Sequence, residues 1–153
     1  MTFNTMIARL VRLLAAGILC YAGFLKAIAP AAEFAAAIHA YRIVPAGLAN
    51  PIAILMPYIE IWIGLALLSG YLLRWTSRLA ALMFAGFIVM IGSALARGID
   101  LHSCGCFGPA MEMNPRVTLL VDGTLLIGCL FLTWVSRNAL DQWSMDAWIE
   151  HPR

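Results

Sequence analysis

Four apolar stretches, each about as long as a bilayer is thick, leave this chain few ways to fold. A hydrocarbon core of about 30 Å takes roughly 20 helical residues to cross. The runs 7–29, 51–73, 77–96 and 117–135 meet that length, and polar or Pro/Gly-marked breaks separate them. The expected fold is therefore all-α: an integral membrane bundle of four transmembrane helices, forming one membrane domain over 1–153. Composition agrees, because 153 residues that are 63% hydrophobic and 12% charged, with a mean hydropathy of +0.88, carry too little charge to cover a soluble surface.

A net charge of +2 gives no footing for nucleic acid. The chain has no Gly-rich phosphate loop, no zincin histidine pair and no G-x-S-x-G elbow. Arg9 and Arg12 precede the first apolar run as in a secretory signal, but the run is longer than a signal's apolar core, so a retained helix is expected. Cys20 follows Leu19, where a lipoprotein would need a small residue.

Between the first two spans, AAEFAAAIHAYRIVPAGLANP repeats Phe34, Ile38 and Tyr41 at helical spacing. This predicts a short interfacial helix, with Glu33 capping its start and Pro45 and Gly47 stopping it. The tail 136–153 sets Trp143, Met145 and Trp148 among Asp141, Asp146 and Glu150, and is expected to lie along the membrane or to be loosely ordered.

With the N-terminus in the cytoplasm, Arg9, Arg12, Arg74, Arg78, Arg137 and Arg153 lie inside, against Lys26, Arg42, Arg97 and Arg116 outside. The bias toward positive charge inside is slight and favours this orientation, with RWTSR as a tight inner turn. The segment 97–116 then faces the periplasm of a bacterial inner membrane, where disulfides persist.

That segment is the one long interruption with reactive side chains, reading RGIDLHSCGCFGP from Arg97 to Pro109. Cys104 and Cys106 stand one glycine apart, with His102 two residues upstream. A Cys-Gly-Cys bridge closes a very small ring, and small rings are strained, which makes the bond labile and suits it to exchange. Protonated His102 would stabilise a thiolate on either neighbour, and Arg97 would add positive potential. Two alternatives stand beside exchange. A structural clip across so short a loop removes little chain entropy, and a metal site on His102, Cys104 and Cys106 lacks a fourth ligand and the usual spacing.

Cys20 and Cys129 fall inside spans and read as small apolar filler, the alternative being a second pair that passes electrons inward. Cys129 lies about 18 Å down its helix, too far to meet Cys104 directly. Glu60 sits mid-span, Asp122 about one and a half turns inside the fourth span, and Lys26 near the outer end of the first. Such residues either bond helices together, as Glu60 would with Lys26, or serve proton transfer or cofactor contact. Pro57, one turn before Glu60, frees a backbone carbonyl and is tolerable where a neighbour answers it. Tyr58, Trp62, Phe84, Phe87 and Phe107 are candidates to line a slot for a quinone ring, against ordinary lipid-facing or core packing. Tyr71, Trp75 and Trp134 at span ends fit an aromatic belt.

CGCFGP between the third and fourth spans, PYIEIWIGLALLSG in the second and FAAAIHAYRIVP before it together resemble the MauE branch of the DoxX-like membrane proteins, from about Leu10 to Val135. The resemblance implies a four-helix inner-membrane protein tied to redox work outside the cytoplasm, in maturation of methylamine dehydrogenase, whose small subunit is rich in disulfides, with a thioredoxin-like partner. It transfers Cys104 and Cys106 as the redox pair, and Glu60 and Asp122 beside them. Many members place an acid directly before the first cysteine; Ser103 stands here, with Asp100 further back.

The expected activity is thiol–disulfide exchange between Cys104–Cys106 and a periplasmic thioredoxin-like protein, serving a disulfide-rich client. Quinone is the candidate membrane carrier, near Glu60, Asp122 and Lys26, the alternative being no cofactor, and no metal is expected. A non-catalytic assembly factor and a small-molecule or metal-handling membrane protein are the rival classes.

Overall fold

The computed structural model describes residues 3–99 and 114–138, and these form five helices with no strand among them. They are α1 (Phe3–Ile28), α2 (Ala31–Ala40), α3 (Ala46–Ser69), α4 (Leu73–Ala96) and α5 (Pro115–Asn138). Four are long and apolar enough to cross a membrane, over Met6–Ile28, Gly47–Ser69, Leu73–Ala96 and Pro115–Val135. The short helix α2 falls between the first two of them.

Two sequence boundaries move. The second span does not run on to residue 73, and RWTSR is not a turn. α3 ends at Ser69, capped by Gly70 in the left-handed conformation (φ 71°), and Leu72 (φ 46°) turns the chain into α4. Gly70 donates its amide to Leu67, and Tyr71 donates to Ala66, which answers the last carbonyls of α3. Arg74 and Arg78 therefore ride on the first turns of α4, with the Arg78 guanidinium 5.2 Å from the Trp75 ring. The second span also starts earlier than residue 51. Pro45, extended at φ −55° and ψ 142°, is the N-cap of α3, so it opens that helix and Gly47 lies within it. Pro51 and Pro57 are both absorbed inside α3.

α2 begins after Pro30, and Glu33 occupies its first turn without a side-chain capping bond. An acid there favours the helix through the positive end of its dipole instead. Phe34, Ala35 and Ile38 are buried against Ala49 and Ala53 on the first turns of α3. Tyr41, one position past the helix, is buried too. At its far end α2 is fastened to α4, because the Arg97 guanidinium donates to the carbonyls of Tyr41 and Arg42.

α1 packs chiefly on α3 and α4 chiefly on α5, while α1 against α5 joins the two pairs. α3 and α4, although joined by a three-residue turn, touch much less. The α1–α3 seam is close because it is built on glycine. A β-carbon on Gly23 would lie 2.8 Å from the Pro57 carbonyl oxygen and 3.0 Å from Glu60 Cβ; one on Gly64 would lie 2.6 Å from Cys20 Sγ. Small residues let helix backbones approach where lipid offers no hydrophobic drive to association. On the α4–α5 seam, one of the Ser77 and Thr133 hydroxyls donates to the other across 3.1 Å, and the accepting hydroxyl keeps its own proton for a carbonyl of its helix, Leu73 for Ser77 or Cys129 for Thr133.

Candidate functional site

The inward face of α1 reads Ala15, Ala16, Leu19, Ala22 and Lys26, at the three- and four-residue steps of a helix. That periodicity carries Lys26 into the bundle rather than out to the membrane surface. On α3 the same logic turns Ala53, Glu60, Ile63 and Leu67 inward. The two stripes meet, and the Lys26 ammonium donates to the Glu60 carboxylate with both side chains fully buried. Burial of either charge alone would be costly; together they answer most of each other's need.

Two rings complete the shell. Lys26 Nζ lies 5.5 Å from the centroid of Phe34 on α2 and 5.3 Å from that of Phe87 on α4. Both are within the range where a cation is held by an aromatic face. One lysine thus gathers α1, α2, α3 and α4. The convergence of Phe34 and Phe87 was not readable from spacing, since both fit an ordinary buried stripe.

Asp122 is buried on α5, about 10 Å from the start of that helix. It shares an inward stripe with Thr118, Leu125, Cys129 and Leu132, so the polar end of the stripe lies toward Pro115. Of the three residues expected near a cofactor, Lys26 and Glu60 are brought together, while Asp122 is buried on a different helix, α5.

The aromatic slot does not form as expected. Tyr58 and Trp62 are 62% and 58% exposed on the outer face of α3, and Phe84 is packed in the core. Of the five expected aromatics, Phe87 is the one that borders the ion pair among the described residues, and Phe107 lies outside those residues. An apolar groove of about 420 Å³ opens elsewhere, between α2, α3 and α4. Phe34 and Phe87 line it, so the rings that cover Lys26 also wall the groove.

Cys20 and Cys129 are both free thiols. Cys20 faces α3 beside Gly64 and the Ile61 carbonyl. Cys129 follows Gly128, which packs against Val11, nine residues before Cys20 on α1. Nine helical residues are about 13 Å, so the two sulfurs are not a pair. Among the described residues no group of three His, Cys, Asp or Glu gathers where it could hold a metal ion.

His102, Cys104 and Cys106 lie outside the described residues. Their segment joins Ile99, just past α4, to Asn114, just before α5. Arg97, expected to add positive potential near the thiols, has its guanidinium on the carbonyls of Tyr41 and Arg42. The end of α4, the turn after α2 and the entry to the cysteine segment are therefore held at one end of the bundle.

Four membrane-capable helices, two of them joined by a buried lysine–glutamate pair, fit a multi-pass membrane protein. More narrowly, the chain belongs to the MauE family: the family of the methylamine utilisation protein MauE matches residues 4–135, nearly all of the helical part. No curated protein and no solved structure matches it. Membership links the chain to methylamine utilisation.

Proposed function

We propose that this protein exchanges a Cys104–Cys106 disulfide with a thioredoxin-like protein on the periplasmic side of the inner membrane, in maturation of a disulfide-rich client such as methylamine dehydrogenase. The observation that carries this reading is the Cys-Gly-Cys pair of a MauE-family chain, set in the segment that connects two membrane-capable helices. A thiolate of the partner attacks one sulfur and forms a mixed disulfide, and the partner's second thiol resolves it. The partner leaves oxidised, while Cys104 and Cys106 take up two electrons and two protons as a dithiol. Run backwards, the same steps oxidise the chain and reduce the partner.

His102 would hold the thiolate form of whichever cysteine leaves. A site of this kind needs no metal, since sulfur supplies both nucleophile and leaving group. The test is to express Cys104→Ser and Cys106→Ser singly and trap the covalent adduct that the remaining thiol forms. A mixed disulfide with a thioredoxin-fold protein in one variant is the expected result. Maturation of the client that proceeds normally with both cysteines replaced would overturn the proposal in favour of an assembly factor that acts by docking.

A further inference from the structure

The segment that carries the thiol pair is rooted at Ile99 and at Asn114, and both roots are ordered. At the first, Arg97 ends α4, Gly98 takes the left-handed conformation (φ 67°), and the amides of Gly98 and Ile99 donate to the carbonyls of Leu95 and Ala94. This is the glycine-ended Schellman closure of a helix, and Ile99 packs against the main core of the bundle. At the second, Asn114 accepts the Arg116 amide on its side-chain oxygen at 3.0 Å and the Val117 amide on its carbonyl at 2.9 Å, and Pro115 opens α5. The two roots differ in reach. Cys104 follows Ile99 by five residues, a tether of at most about 18 Å, whereas Cys106 stands eight residues before Asn114, at most about 29 Å. The place where Ile99 is held therefore limits the thiol pair more tightly.

Arg97 holds that place from the side. All three of its guanidinium nitrogens donate to carbonyls: Nε to Ser93 within α4 at 3.0 Å, and Nη1 and Nη2 across to Arg42 and Tyr41 in the turn after α2. That turn is a firm anchor. Tyr41 is buried in the same core that Ile99 packs on, and Arg42 adopts φ 52°, a conformation uncommon for a residue with a β-carbon. The side chain that its place in the sequence set near the thiols is thus engaged with backbone on another helix.

We infer that Arg97 is a positioning residue of the thiol–disulfide exchange: its fork to the α2 turn fixes the point from which the cysteine segment leaves the bundle, and with it the approach of a protein partner. It acts through the backbone and not by lending positive potential to a thiolate. This rests on the exchange function proposed above and adds the group that sets its geometry. A protein partner must bring its own sulfur in line with the S–S bond while its surface meets the bundle, and a misplacement of about 1 Å can cost on the order of 100-fold. A small dithiol has no surface to fit. In either reaction the incoming dithiol closes to a disulfide while the Cys104–Cys106 bond opens to two thiols.

Two substitutions separate fork from charge. Arg97→Lys keeps the charge but not the fork, since an ammonium is a point donor, and Arg97→Gln removes both. Each full-length protein in nanodiscs is reduced by thioredoxin and, separately, by dithiothreitol, and the potential of its Cys104–Cys106 couple is read against glutathione. Both variants should lower the second-order rate constant for thioredoxin by about tenfold or more, with the dithiothreitol rate within about twofold of wild type and the potential unchanged. Should Arg97→Gln not fold, Arg97→Lys decides alone.

Wild-type exchange of Arg97→Lys with thioredoxin overturns the inference, as does a potential that shifts in Arg97→Gln and not in Arg97→Lys, which would assign Arg97 to the thiolate. An equal loss toward dithiothreitol and thioredoxin overturns it too, because a small reductant does not sense docking. Failure of the wild type to exchange with thioredoxin would instead overturn the exchange function itself.

Discussion

α3 meets its two sequence neighbours among the spans in opposite ways. Against α1 it is drawn close by Gly23 and Gly64 and locked by Lys26–Glu60. Against α4, to which a short turn ties it, it stands off and leaves a groove lined by apolar side chains. The difference teaches that chain proximity does little for helix packing in this bundle. Lipid competes with apolar side chains for one another on equal terms, so a seam closes where backbones can touch or where a polar group must be answered. The α3–α4 seam has neither.

The largest test of this contrast is the ion pair. Lys26→Met leaves the Glu60 carboxylate buried without its cation and should cost about 3–5 kcal/mol of stability. Adding Glu60→Gln removes the stranded charge, so the double variant should recover more than half of that loss. Unfolding of the purified protein by denaturing detergent measures both, and a double variant as unstable as Lys26→Met would show that the cation's packing on Phe34 and Phe87 matters more than its charge.

Overpacking the glycine seam comes next. Gly64→Ala places a methyl carbon 2.6 Å from Cys20 Sγ and should destabilise by about 1–3 kcal/mol. Cys20→Ala removes that sulfur and should restore part of the loss, though the Cys20 amide nitrogen at 3.0 Å and the Ala16 carbonyl oxygen at 3.1 Å still press on the new group. A double-mutant cycle in the same unfolding assay reads the coupling; strictly additive effects would mean that the helices shift apart instead.

The smallest effect belongs to the open seam. Leu82→Ala, on the groove rim and largely exposed to lipid, should change stability by no more than about 0.5 kcal/mol. A loss comparable to that of Gly64→Ala would show that the α3–α4 seam is held after all.

The four spans were legible because hydropathy over some 20 residues has one physical meaning in a bilayer. Glu60 was legible as a residue in need of a partner, and Lys26 as the base near the end of the preceding span. The α3–α4 turn was misplaced because hydropathy barely falls at Gly70, whereas Arg74 and Arg78 look like a polar break although they lie on a helix. Gly70 itself was the available signal, a helix-ending residue in SGYLL. Gly23 and Gly64 carried no legible role, and the contact of Phe34 and Phe87 with Lys26 was not legible either, since each depends on what another helix brings opposite it. Exposure of Tyr58 and Trp62 was likewise undetermined, because in lipid an aromatic residue is as well placed outside as inside.

The ion pair also has a consequence for how the protein is made. Lys26 leaves the ribosome before Glu60, and a lysine at the end of an inserted helix can stretch its amine to the headgroups while it waits. Glu60, halfway along its span, has no such refuge and faces an insertion penalty on the order of a few kcal/mol. Translated in this order, the acid enters the membrane when its base is already there; a chain with the two residues exchanged would have to insert its acid first and strand it until the base arrived.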